Sequence, residues 1–207
     1  KNGVIKGMAS MGAVVYNCGL VSTPSMFMTI VFPETAFDGS IMITASHLPF
    51  NRNGLKFFDK DGGLENTDIK EILTVAQDCT VAECEKEAES FDSLSLYTAS
   101  LCEKIKAGVN AEDFDHPLAG LHVVVDAGNG AGGFFAKRVL EELGADISGS
   151  QFLNPDGMFP NHIPNPENAQ AMEAIKNAVL DNKADLGIIF DTDVDRMSAV
   201  LSDGSEI

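Results

Sequence analysis

The stretch Leu186-Gly-Ile-Ile-Phe190 followed by Asp191-Thr-Asp-Val-Asp-Arg196 decides how this chain is read. The first five residues form a short apolar run of the length and composition of a buried strand. Three carboxylates then fall at alternate positions, Asp191, Asp193 and Asp195, with Arg196 directly after them. Like charges at the carboxyl end of a buried strand repel one another, so the loop converges only by curling around something positive. Hard oxygen donors of this kind suit magnesium. The plain alternative is a solvated acidic turn. Removing one acid from an uncompensated cluster should relieve repulsion in the metal-free protein. Arg196, beside such a cation, is placed to pair with a phosphate oxygen.

Upstream of this stretch, Ala169–Asn182 reads as a helix. Before it lies a long loop, Asn154–Pro166, rich in proline. Further back come a strand at Leu121–Asp126, a glycine-rich turn, a helix at Phe134–Leu143 and a strand near Ala145–Ser150. Met197–Leu201, after the acidic loop, is a strand. The turn, Gly128-Asn-Gly-Ala-Gly-Gly133, fits the letter of a dinucleotide fingerprint. That motif requires an acid near the end of the following strand, whereas Asp146 stands at its start. The turn is therefore read as structural.

The N-terminal half repeats the alternation. Helix Val4–Val15, a strand near Asn17–Val21 and helix Ser25–Phe32 come first, with Thr23 as capping hydroxyl and Pro24 at the first helical position. Strand Ser40–Thr44 leads into a polar loop, and the Asn53-Gly54 turn into strand Leu55–Phe58. An acidic helix from about Thr67 to Ser90 and a helix at Leu94–Ala107 complete the series. This order predicts an α/β protein of two three-layer domains with mainly parallel sheets, residues 1–91 and 92–207.

A second segment able to carry chemistry is Thr44-Ala-Ser-His-Leu-Pro49. A serine on a loop past a strand end can act as a nucleophile or hold a phosphate, and His47 beside it can move protons. Lys56, behind the Asn53-Gly54 turn, is near enough in sequence to return to this loop. Taken singly, a Ser-His pair in a polar turn and a surface lysine are ordinary structural features.

Composition sets the outer bounds. The chain has 207 residues, 44% hydrophobic and 22% charged, which suits a folded protein. Its formal net charge of -17 argues against nucleic acid and anionic membranes as partners. No apolar run approaches the roughly 18 residues of a membrane span. Cys18, Cys79, Cys84 and Cys102 form no CxxC pair, which predicts reduced thiols in an intracellular, cytoplasmic protein. The chain opens on Lys1 and stops just after Ser-Asp-Gly-Ser-Glu206, and both ends read as cut.

Taken together and in order, Thr-Ala-Ser46-His-Leu-Pro, Asn-Gly-Leu-Lys56, Asp126-Ala-Gly-Asn-Gly-Ala-Gly, Phe159-Pro-Asn-His-Ile-Pro-Asn-Pro166 and Asp-Thr-Asp-Val-Asp-Arg196 resemble the α-D-phosphohexomutases. The resemblance covers nearly the whole chain. It implies an enzyme that interconverts hexose 1-phosphate and hexose 6-phosphate through a bisphosphate intermediate. Ser46 would be the phosphoserine, and Asp191, Asp193 and Asp195 would bind Mg2+ together with the serine phosphate. Lys56, His47 and Arg196 match the family's lysine, histidine and arginine. The implied partner is a phosphorylated hexose. The resemblance matches the later part of the family's first domain and its second domain, and implies domains three and four outside these residues. Three positions depart from the pattern: Leu48 replaces Asn, and Thr192 and Val194 replace Gly. Val194 bears on loop geometry, because a β-branched residue resists positive φ. Two other readings compete. Phe190-Asp-Thr-Asp-Val imitates a haloacid dehalogenase-type phosphatase with Asp191 as nucleophile, and the chain by itself could be a non-catalytic sugar-phosphate binder.

Overall fold

The computed structural model describes residues 1–48, 51–80 and 85–207, so Pro49 and Cys84 lie outside the described residues. In chain order the elements are α1 (Asn2–Ser10), β1 (Tyr16–Asn17), α2 (Thr23–Val31), β2 (Ser40–Thr44), β3 (Gly54–Asp59), β4 (Gly62–Gly63) and α3 (Asn66–Asp78). Then follow β5 (Glu89–Ser90), α4 (Ser93–Val109), β6 (Val123–Asp126), a helical segment with π-type turns at Ala136–Glu141, α5 (Ala169–Asn182), β7 (Leu186–Phe190) and β8 (Met197–Leu201).

The C-terminal part is built on β7. It pairs in parallel with β6 and antiparallel with β8. Alternate side chains leave the sheet on opposite faces, and each face is covered. Val124, Ile189 and Val200 pack under α5 against Met172, Ile175 and Val179. Val123, Val125 and Phe190 pack against Ala136 and Leu140 of the π-turn segment. Cys102 of α4 joins Val139 and Leu143 behind that segment. Gly187 brings α5 close to β7, since a Cβ there would lie 2.4 Å from Val179 Cγ2. At the other end of α5, the Asn168 side chain accepts from the N–H groups of Gln170 and Ala171, the capping expected where an asparagine precedes a helix.

The N-terminal part is also α/β, but its sheet departs from expectation. β2 and β3 are consecutive in the chain and pair antiparallel, with Thr44 opposite Gly54 and Met42 opposite Lys56, and β4 extends the sheet antiparallel. A short connection permits a hairpin, whereas a parallel pair needs a crossover. The parallel pair in this half is β1 with β5, two residues each. The acidic helix ends at Asp78, and Glu89–Ser90 forms β5 in place of the predicted helical end. α1 stops at Ser10, before Gly12 at φ 94. Near Ala145–Ser150 no full strand forms; His122 bridges Asp146 and Asp126 bridges Gln151. α2 packs on β2, with Phe27 against Phe58 at 5.6 Å between ring centres.

Candidate active site

Phe190 pairs with Met197 across the β7–β8 hairpin, so Asp191–Arg196 is the hairpin's loop. Arg196 folds back along it. Its backbone N–H donates to Asp191 Oδ1 at 3.1 Å, and its Nε and Nη2 donate to Oδ2 at 3.2 and 3.1 Å. Val194 turns the chain at φ 65. The loop therefore curls inward, and Asp191, Asp193 and Asp195 each offer one carboxylate oxygen, all within 4.8 Å of one another. Asp191 is 0% and Asp193 2% exposed.

The two buried acids are driven apart in acidity. Burial pushes Asp191 up to about 6; the Arg196 N–H opposes this, and the charges of Asp193 and Asp195 add to it. Burial also acts to raise Asp193, but Lys56 and the hydroxyls of Thr23 and Thr44 outweigh it and hold that carboxyl below its ordinary value. Lys56 Nζ donates to Asp193 Oδ2 at 2.8 Å and also to Asp195 Oδ2. Its own burial would lower its pKa, yet these two acids leave it raised.

Three separate segments hold the loop. From β3 comes Lys56. From the start of α2 comes Thr23, whose N–H donates to the Asp193 carbonyl at 2.8 Å and whose Oγ1 donates to Asp193 Oδ2 at 2.7 Å. Thr23 is not the helix cap its sequence suggests: Ser22 caps α2, its side chain accepting from the Ser25 N–H. From the glycine-rich turn, the Ala131 N–H donates to the Thr192 carbonyl at 2.8 Å. A Cβ on Gly130 would lie 2.7 Å from that same oxygen, so only glycine allows the two loops to touch. The fingerprint-like turn is thus a buttress for the acidic loop.

This arrangement suits a cation. Asp193 Oδ2 has two donors, while Asp193 Oδ1 is buried with no hydrogen-bond partner. A buried orphan carboxylate oxygen is costly unless something positive meets it. The donor set, all carboxylate oxygen, is that of a hard divalent ion.

Ser46 sits across a cleft of about 240 Å³ from this loop, with Thr44 and Arg52 on its side and Asn129, Gly130 and Asp193 opposite. Its backbone is left-handed, φ 52, and its N–H donates to Thr44 Oγ1 at 2.8 Å. That turn lifts the hydroxyl off the end of β2. His47 is exposed, with Nδ1 3.4 Å from Ser46 Oγ, a long contact. The structure thus gathers Asp191, Asp193, Asp195, Arg196 and Lys56 at one point, sets Ser46 on the facing wall and leaves His47 outside.

Reading the residues alone missed two parts of the site. One is Thr23, whose Thr-Pro context mimics a helix start. The other is a buried cluster beneath the glycine-rich turn. Asp126 accepts from the Gly128 N–H, from Gln151 Nε2 at 2.7 Å and from His162 Nε2 at 3.0 Å. His162 Nδ1 faces the Ile163 carbonyl at 3.0 Å. Both ring nitrogens therefore face acceptors, which only the imidazolium satisfies. Burial lowers the pKa of His162, but the bond to Asp126 and its charge reverse this and leave it raised.

Comparison with known proteins agrees across the whole molecule. Residues 1–80 match the family model for phosphoglucomutase/phosphomannomutase, alpha/beta/alpha domain I, and residues 97–204 match that for domain II. The chain is 32% identical over 202 residues to a phosphomannomutase/phosphoglucomutase of Pseudomonas putida, covering 98% of this chain and 41% of that protein. It is 35% identical over 212 residues to a probable phosphoglucosamine mutase of Methanosarcina barkeri, covering 99% and 45%. A phosphoglucomutase/phosphomannomutase family protein of Burkholderia thailandensis superposes with a TM-score of 0.83 at 27% identity, covering 100% of this chain and 44% of that one. The chain spans about two fifths of the length of the relatives it matches.

Proposed function

The chain belongs to the phosphoglucomutase/phosphomannomutase family, and we propose that it carries the phosphoryl-transfer half of a hexose-phosphate mutase. Ser46 holds the phosphoryl group. In the forward step the bond between phosphorus and Ser46 Oγ breaks as a bond forms to a hydroxyl of the sugar monophosphate. The hydroxyl proton leaves to a base, for which His47 is the candidate; Lys56, kept an ammonium by Asp193 and Asp195, is placed for phosphate contact. The bisphosphate then turns round and returns its other phosphoryl group to Ser46. Asp191, Asp193 and Asp195 would hold Mg2+, with the Ser46 phosphate as a further ligand; when bound, the ion neutralises charge on the transferring group and the leaving oxygen. Arg196 orients Asp191 and would pair with a phosphate oxygen.

The observation that carries this reading is that Ser46 and the acidic loop, from opposite halves of the chain, face each other across one cleft. The division of the chain near residue 92, between β5 and α4, goes with it, as do third and fourth domains that grip the rest of the sugar. A cytoplasmic setting suits the free thiols of Cys18, Cys79 and Cys102. Among the described residues no helix is long and apolar enough to cross a membrane.

The phosphatase reading fares worse on geometry. A nucleophilic Asp191 must reach substrate, whereas this one is fully buried with both oxygens engaged by Arg196. Incubation of the full-length protein, complete with the domains that hold the distal phosphate, with a hexose bisphosphate carrying labelled phosphate, followed by mass spectrometric mapping, tests the proposal. Label on Ser46 is expected; label on Asp191 refutes it. The chain without the domains that hold the distal phosphate should turn over no substrate, since lost positioning is worth about 7–11 kcal/mol of barrier. Turnover at the rate of a four-domain mutase would favour a different mechanism.

A further inference from the structure

We infer that Thr23 is a positioning residue for the candidate metal site, its hydroxyl holding Asp193 so that a single carboxylate oxygen, Oδ1, is presented to the cation. The inference rests on the metal reading above and extends it to a residue outside the acidic loop.

Thr23 and Asp193 are 170 positions apart, yet two bonds join them. The Thr23 N–H fixes the backbone carbonyl of Asp193, and Oγ1 fixes its Oδ2. Thr23 is itself buried at the first turn of α2, where Ser22 anchors the helix start, so the hydroxyl sits on a rigid element. With Oδ2 taken by Thr23 and Lys56, rotation of the carboxylate would break bonds to both. Oδ1 is left buried and without a partner, on a carboxylate that belongs to the cluster of three acids. Lys56 can follow a moving carboxylate on its flexible stem; the threonine hydroxyl, on a stiff β-branched side chain, cannot. Thr23 is therefore the group that sets the orientation. Partners of this kind around metal ligands affect affinity by about 10–100-fold when removed.

The test uses Mn2+ as the probe, its binding to the protein followed by electron paramagnetic resonance of the free ion. Asp193→Asn serves as the control that abolishes tight binding. Thr23→Val keeps the shape and the backbone N–H but removes the hydroxyl, and should weaken Mn2+ binding about tenfold or more. Thr23→Ser restores the hydroxyl and should bind close to wild type. Should Thr23→Val fail to fold, Thr23→Ala is read on the same scale. Wild-type affinity in whichever folded variant lacks the hydroxyl overturns the inference. So does an equal loss in Thr23→Ser, which would assign the effect to the methyl group and hence to packing. No binding by the wild-type protein overturns the metal reading itself, and this inference falls with it.

Discussion

Val194 carries the clearest strain in the molecule. It holds φ 65 in a region that a β-branched side chain rarely enters, and it does so because Asp191 and Arg196 close the loop on either side of it. Such strain costs about 1–3 kcal/mol. Val194 also packs against the core cluster around Phe190, so removing its side chain has two effects of opposite sign. Comparing Val194→Gly with Val194→Ala separates them, because both lose the packing and only glycine loses the strain. Thermal melts should place Val194→Gly above Val194→Ala by about 1 kcal/mol, the reverse of the usual order in regular backbone. An alanine variant that melts higher would mean the loop relaxes when the valine is gone. His162 offers a test by pH. Its pKa is raised in the fold, so the stability it contributes is complete below the ordinary histidine value of 6.5 and is lost as pH rises through the folded value. The melting temperature of wild type should exceed that of His162→Asn by more at pH 6 than at pH 9. A difference that widens toward pH 9 would show that the neutral ring is the paired form.

At the scale of elements, the glycine-rich turn and the acidic loop act as one unit. The Ala131 N–H bonds the Thr192 carbonyl, and Gly130 lies against the same peptide. A methyl at position 130 meets backbone, not a side chain that can swing away, so the acidic loop itself must shift. Gly130→Ala should destabilise the protein by about 1–3 kcal/mol, the range for overpacking a closed contact. It should also shrink the rise in melting temperature expected on adding magnesium. Gly7→Ala is the control, because its Cβ meets nothing within 4 Å and alanine favours the helix. Equal effects from the two substitutions would remove the case for a buttress. The same contact marks where sequence reading stops. Strands β7 and β8 and helix α5 were legible to the residue because their apolar periodicity and their flanking turns agree. The acidic loop was legible as a candidate cation site because like charges at a strand end repel one another without one. The antiparallel pairing of β2 with β3 was hidden, since element order does not show which neighbours hydrogen-bond. Thr23 was hidden for a related reason: a threonine before proline carries a complete local explanation, and its true partner lies in the other half of the chain.

At the scale of the whole molecule, burial is uneven and the acidic loop ties the unequal parts together. Most of the fully buried apolar side chains, among them Val124, Val125, Val139, Ile175, Val179, Ile189 and Val200, belong to the C-terminal half. Helix α3 buries none of its residues. Local opening is cheap where few apolar groups leave water on folding. Amide hydrogen exchange should therefore be slowest in β6, β7 and β8, faster in β2 and β3, and fastest in α3. Magnesium should change this ranking in a specific way. A cation bound at the acidic loop stabilises only states in which the loop is formed. Thr23 and Lys56 tie that loop to α2 and β3, so the added stability reaches the N-terminal half through them. Exchange in β3 and the first turns of α2 should slow on adding magnesium, while α3 keeps its rate. Asp193→Asn should abolish that slowing. It should also destabilise the metal-free protein by about 1–3 kcal/mol, because the charge it removes is the one paired with Lys56 and Thr23. Repulsion within an acidic cluster, considered without Lys56, predicts the opposite sign; the lowered pKa of Asp193 agrees with attraction prevailing at that carboxylate. Melts of metal-free wild type and Asp193→Asn decide the sign, and exchange with and without magnesium decides the route. If magnesium slows exchange in β6–β8 alone, the two halves are not coupled through the loop, and Ser46 and the acidic loop need a different connection to act together.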